Sequence, residues 1–72
     1  MSYAKLRGKI REVYGTQEAF ARAIGLSKPS LSQRLMGKVP WKTSEVAESC
    51  RVLGIPIEEN ATYFFDYSVK KT

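Results

Sequence analysis

A glycine, Gly25, separates two short amphipathic segments in the middle of this chain, and few folds accommodate such an arrangement. Apolar residues recur at helical spacing on both sides of it: Phe20, Ala21 and Ile24 before it, and Leu31 and Leu35 after it. Thr16 and Ser27 precede the two segments, and their hydroxyls can accept hydrogen bonds from the first free N–H groups of a helix. Glycine adopts positive φ without steric cost, which suits a sharp turn. The pattern therefore predicts two helices, at about 17–24 and 28–36, joined by a tight bend.

Three further helices are predicted around this pair. The first spans about 3–14, a fourth runs from Ser44 to Leu53 with Thr43 as its N-cap, and a fifth follows Pro56. Their expected buried residues are Leu6, Ile10, Val13 and Tyr14 in the first, Val46, Ala47, Cys50 and Leu53 in the fourth, and Ile57, Ala61, Phe64 and Phe65 in the last. The prediction is an all-α chain with one domain over residues 1–67 and a loose tail at 68–72.

Composition argues against several classes of protein. The chain has 72 residues, of which 43% are apolar, and this suits one small folded domain. No apolar run approaches the roughly 20 residues of a membrane span, and the N-terminus lacks the apolar core of a signal peptide. We therefore expect a soluble, cytoplasmic protein with no membrane partner. Because the chain has no histidine, one cysteine and no glycine-rich phosphate loop, we expect no catalytic, metal or cofactor site.

Charge is distributed unevenly along the chain. Residues 1–42 carry nine Lys or Arg against two Glu, whereas residues 43–72 carry three against five acidic residues. An excess of Lys and Arg in one half is the electrostatic footprint of a protein that binds nucleic acid. A set of charges is also common on an ordinary solvated surface. Composition alone leaves both interpretations open.

Residues 16–38 follow the pattern T-Q-x-x-x-A-x-x-I-G-L-S…S-L-S-x-x-L-x-G-K, which resembles the helix-turn-helix of the phage Cro/repressor-type (XRE-like) DNA-binding proteins. The residues at 44–47, 53–55 and 63–65 extend this likeness to short Cro-like proteins of temperate phages of Gram-positive bacteria. The resemblance implies a five-helix lambda-repressor-like domain with its helix-turn-helix at about 16–37. It also implies a transcriptional regulator in a lysis/lysogeny-type switch, acting on operator DNA as a homodimer that reads a pseudo-palindrome.

Base readout is expected from the outward face of the third helix. This face is opposite Leu31 and Leu35, and it carries Lys28, Ser32 and Gln33. Gln33 can bond two edge atoms of adenine, Lys28 can reach guanine acceptors or a phosphate, and serine can bond either kind of base. Pro29 departs from the polar residue usual in related repressors, so it would read by apolar contact, for example with a thymine methyl.

Six residues are expected to contact DNA phosphates: Thr16, Gln17, Ser30, Arg34, Lys38 and Lys42. Gln17 is assigned this role because it follows the cap residue of the family pattern, and its other interpretation is an ordinary surface glutamine. Ser30 and Arg34 are either phosphate contacts or plain surface. Lys38 and Lys42 flank the loop where family members touch the DNA backbone, and solvated lysine is the alternative for each.

Aromatic residues are candidates for a protein interface. Trp41 either rests on the core, contacts the sugar-phosphate edge or marks an interface. Tyr63 and Tyr67 lie in a cluster of four aromatics that either fills the core or forms a partner surface. The same Cro-like group includes small modulators of repression. The alternative function is therefore an antirepressor that binds a cognate phage repressor and alters its DNA occupancy.

Overall fold

The computed structural model describes residues 3–64, and within that range the chain is helical with no β-strand. Its helices are α1 (Ala4–Tyr14), α2 (Gln17–Ala23), α3 (Lys28–Leu35), α4 (Thr43–Leu53) and α5 (Asn60–Phe64), with a 3-10 turn at Ile57–Glu59 immediately before α5. The prediction of an all-α chain with five helices is confirmed for these residues.

The bend between α2 and α3 forms as its caps and its glycine predict. Thr16 Oγ1 accepts a hydrogen bond from the Ala19 N–H at 3.1 Å, and Ser27 Oγ accepts one from the Ser30 N–H at 3.2 Å. Gly25 has a φ of 77°, so the turn uses the left-handed conformation that glycine favours. Pro29 lies in the first turn of α3, where its missing N–H costs no helical hydrogen bond.

All five helices contribute to one core. Its buried apolar residues are Leu6, Ile10, Phe20, Ala21, Leu31, Leu35, Val46, Cys50, Leu53, Ile55 and Phe64. Because α1 packs against α2, α4 and α5, it lies at the centre of the helix bundle.

Burial in this core raises the pKa of the Cys50 thiol, whose residue is only 2% exposed. No helix within residues 3–64 combines the length and apolar character needed to cross a membrane.

Two details predicted for α4 are wrong. The helix begins at Thr43, so Lys42 occupies the N-cap position, and the Lys42 N–H donates to the Glu45 carboxylate at 3.0 Å. The buried stripe contains Ser49, which is fully buried, and Ala47 is exposed. Positions 46, 49, 50 and 53 follow the helical repeat of three and four residues, so periodicity rather than polarity determines this face.

The ends of the other helices also differ from prediction. Ile57 is 57% exposed and Ala61 is exposed, since the 3-10 turn interrupts the helical spacing, and Ile55 takes the core position instead. Val13 is 45% exposed in the last turn of α1, where Tyr14 rather than Val13 packs on Phe20. Predictions for Phe65, Tyr67 and the tail at 68–72 lie outside the described residues.

Candidate functional site

The outward face of α3 presents most of the side chains predicted to read bases. Lys28, Pro29 and Gln33 are exposed, and Ser32 is half-buried. Leu31 and Leu35 are buried on the opposite side of the helix. The helical repeat therefore separates a core face from a polar outer face within eight residues.

An open groove of about 430 Å³ lies where α1 meets the first residues of α2 and α3. Its lining residues are Arg7, Gly8, Ile10, Arg11, Gly15, Thr16, Gln17 and Lys28. The groove brings Thr16, Gln17 and Lys28 together, three residues that sequence analysis placed on DNA. It also adds Arg7 and Arg11, which sequence analysis missed as site residues. Their spacing of four residues was the available signal, because residues four apart share one helix face.

Arg7 connects this groove to the far end of α3. Its Nη2 donates to the Leu35 carbonyl oxygen at 3.3 Å, an acceptor in the last turn of that helix. The neighbouring Gly8 also lines the groove, and a Cβ added there would meet no other atom within 4 Å, so packing does not require a glycine at this position.

Ion pairs leave positive charge concentrated near α3. Elsewhere, Lys and Arg side chains are paired within their own helices: Lys9 with Glu12 at 3.9 Å, Arg22 with Glu18 at 3.8 Å, and Arg51 with Glu48. Lys5 lies over the Tyr63 ring, 5.9 Å from its centroid. Within residues 3–64, no carboxylate oxygen lies within 4 Å of the cationic groups of Arg11, Lys28, Lys38 or Lys42. Two of these four residues line the groove and two belong to the loop after α3.

Arg34 is engaged by other protein groups. Its Nε and Nη2 donate to the two Glu45 carboxylate oxygens at 2.8 and 3.0 Å, and its Nη1 donates to the Ser30 carbonyl oxygen at 3.0 Å. Each side chain of the pair is 11% exposed. The hydrogen bonds from Arg34 hold the pKa of Glu45 below its ordinary value. Arg34 is therefore not the solvent-facing guanidinium that the predicted phosphate contact assumed.

The remaining predicted residues are partly packed. Ser30 is half-buried, and its hydroxyl accepts a hydrogen bond from Ser27 Oγ at 3.0 Å. Trp41 is half-buried, with its ring edge-to-face against Phe64 at 5.0 Å between centroids. Tyr63 is half-buried under Lys5. The Trp41 indole thus anchors the loop after α3 to the core, while Lys38 and Lys42 in the same loop are exposed.

The fold and the site together define a small all-α domain. It presents a cation-rich groove beside the short helix α3, whose outer face is polar and exposed. The chain belongs to the family described as proteins of unknown function, DUF739, whose sequence model matches residues 1–67. No curated protein matches the sequence.

Proposed function

We propose that this protein is a transcriptional regulator that binds double-stranded DNA, with α2 and α3 as the helix-turn-helix of a lambda-repressor-like domain. In this arrangement α3 enters the major groove and α2 crosses the phosphate backbone. The observation that carries the proposal is the concentration, in the groove and in the loop after α3, of cations that have no carboxylate oxygen within 4 Å among residues 3–64. Phosphate contacts by such cations supply most of the affinity of a protein for DNA.

Sequence readout is assigned to the outer face of α3. Lys28 and Gln33 are assigned the main base contacts because both side chains are exposed. Gln33 can bond two edge atoms of an adenine, and Lys28 can bond the two edge acceptors of a guanine. Ser32 adds a hydroxyl that can bond either kind of base, and Pro29 adds an apolar contact.

Phosphate contacts are assigned to the residues around α3. Those kept from sequence analysis are Thr16, Gln17, Ser30, Lys38 and Lys42, and the groove adds Arg11. Arg34 is left out because its guanidinium is engaged by Glu45 and Ser30. Two copies would read a pseudo-palindrome with half-sites one helical turn apart, as part of a phage-type genetic switch in the cytoplasm of a bacterial host.

Selection from a randomised duplex pool tests this function. The wild-type protein should enrich a defined sequence, and the Lys28→Ala/Gln33→Ala variant should lose that preference, because the two substitutions remove base contacts. Lys9→Ala is the matched control for the lost charge, since Lys9 pairs with Glu12 and does not line the groove. An unchanged preference in the double variant contradicts the assignment of α3 as the reader.

A second candidate function is binding to a cognate phage repressor. One observation favours it: Met36, at the C-terminal end of α3, is 49% exposed beside the same polar face. Exposed methionine is typical of surfaces that bind other proteins. Size exclusion of the purified protein with the repressor tests this role. A stable 1:1 complex, together with no binding to any operator by the isolated protein, would make partner binding the primary function.

A further inference from the structure

The loop between α3 and α4, residues 36–42, carries Lys38 and Lys42, whose ammonium groups have no carboxylate oxygen within 4 Å in the described part of the chain, although Lys42 still interacts electrostatically with Glu45. Lys38 is held to α3 directly, because its backbone N–H donates to the Gln33 carbonyl oxygen at 2.9 Å, whereas Lys42 lies at the far end of the loop. If Lys42 is to contact one DNA backbone together with α3, the far end of the loop must also be held in place. The contacts of this loop therefore determine whether its lysines belong to the same surface as the helix.

A chain of hydrogen bonds through Arg34 and Glu45 crosses the base of this loop. Arg34 lies on α3, where its Nη1 bonds to the Ser30 carbonyl oxygen of the same helix at 3.0 Å. Its other two bonds reach the Glu45 carboxylate, in the first turn of α4. That carboxylate also accepts the backbone N–H of Lys42 at 3.0 Å. The end of the loop is thus tied to α3 through two side chains, each 11% exposed.

We propose that Arg34 and Glu45 are positioning residues for DNA binding, which hold the end of the loop so that Lys42 faces the same backbone as α3. This inference rests on the proposed function. Arg34 acts through Glu45 and the loop, and it makes no contact with DNA. A planar guanidinium is suited to this task, because its two parallel N–H groups fix the orientation of a carboxylate in a way that an ammonium group cannot.

The direction in which one substitution changes the affinity for DNA separates a positioning role from a simple effect of charge. Glu45→Ala removes a negative charge from a protein that binds a polyanion, so electrostatics alone predict tighter binding. If Glu45 positions the loop, the same substitution weakens binding, by about tenfold for the loss of charge-assisted hydrogen bonds. The dependence of DNA binding on salt should also become shallower, because Lys42 no longer contacts a phosphate.

Glu18→Ala is the matched control for this experiment. Glu18 lies in the first turn of α2 as Glu45 lies in the first turn of α4, and it also pairs with an arginine, but its side chain is 66% exposed. We expect Glu18→Ala to bind DNA as tightly as the wild type or more tightly. Binding should be measured by fluorescence anisotropy at a temperature where circular dichroism shows each variant to be folded. If Glu45→Ala binds as tightly as Glu18→Ala, the inference is overturned.

Arg34→Lys provides a second variant with no change in net charge. It should weaken DNA binding, because lysine cannot make the paired contact with Glu45. Arg22→Lys is its control, since Arg22 is 69% exposed and we expect no change in binding. Wild-type affinity in Arg34→Lys contradicts positioning and supports a direct phosphate contact, which a lysine would preserve.

A measurement without DNA separates this inference from the proposed function. Amide hydrogen exchange of Lys42 should be faster in Glu45→Ala than in the wild type, while the amides within α3 keep their protection. An unchanged rate at Lys42 overturns the inference whatever the DNA result. If the wild type binds no duplex, the proposed function fails and so does the DNA role of the pair. Faster exchange at Lys42 would then support only its role in holding the loop.

Discussion

At the scale of single residues, two glycines have opposite consequences for stability. Gly25 has a φ of 77° in the turn between α2 and α3, a conformation that costs other residues about 1–2 kcal/mol. Gly8 lies inside α1, where glycine is about 1 kcal/mol less favourable than alanine. An added Cβ would meet no atom within 4 Å at either position, so the two effects come from the backbone alone.

We therefore expect Gly25→Ala to lower the free energy of unfolding by about 1–2 kcal/mol and Gly8→Ala to raise it by up to about 1 kcal/mol. Urea denaturation followed by circular dichroism measures both. The two substitutions add the same methyl group, so each controls for the other. Equal changes in the two variants would contradict the assigned turn geometry.

At the scale of helices and their contacts, the Arg34–Glu45 pair connects stability to pH. In the folded chain the hydrogen bonds from Arg34 lower the pKa of Glu45 from its ordinary value of 4.5. As the pH falls below 4.5, Glu45 therefore binds a proton more readily in the unfolded chain than in the folded chain. The stabilisation that the charged Glu45 gives to the folded chain is lost over this acid range. Above that pH the stabilisation is fully present.

We expect the free energy of unfolding of the wild type to fall more steeply below pH 4.5 than that of Glu45→Gln, which has no carboxyl to titrate at this position. Thermal melting across the acid range measures the difference. Glu12→Gln should keep the wild-type profile, since Glu12 is 68% exposed and 3.9 Å from its lysine. Parallel profiles for the wild type and Glu45→Gln would show that the pair contributes little to stability.

Helix positions could largely be predicted from the sequence, because caps and apolar periodicity are local properties. Thr16 marks the start of α2, and Gly25 and Ser27 mark the bend, without reference to the rest of the chain. The predicted buried stripe of α4 contains Ala47 and omits Ser49, although Ser49 lies on the helical repeat of the buried residues and Ala47 is exposed. The partner of Arg34 could not be predicted, since Glu45 is eleven residues away, across a loop whose path depends on tertiary packing.

At the scale of the whole molecule, ion pairing shapes the electrostatic surface more than net charge does. The chain carries a formal charge of +5, yet several of its cations are matched by acidic residues one helical turn away. The outer face of α3 could be predicted from the sequence. The position of Arg7 and Arg11 in the groove wall could not, because it depends on how α1 packs against the start of α2.

If the protein binds duplex DNA as proposed, the dependence of that binding on salt tests this distribution. Each phosphate neutralised on duplex DNA contributes about 0.9 to the slope of log K against log salt concentration. Lys38→Ala/Lys42→Ala should therefore make the slope shallower by roughly two. Lys9→Ala/Arg51→Ala removes the same charge from residues that are paired with Glu12 and Glu48, and we expect it to keep the wild-type slope. Equal losses of slope in the two variants would show that only total charge matters.

The buried thiol of Cys50 gives this domain an internal reporter of opening. It is the only cysteine in the chain, its residue is 2% exposed and burial raises its pKa, so an alkylating reagent reaches a reactive thiolate only when the core opens. A molecule that binds only the closed domain makes opening rarer. Slower alkylation of Cys50 would then identify a binding partner, whether that partner is a DNA duplex or a protein. The same measurement can screen candidate partners of any sequence.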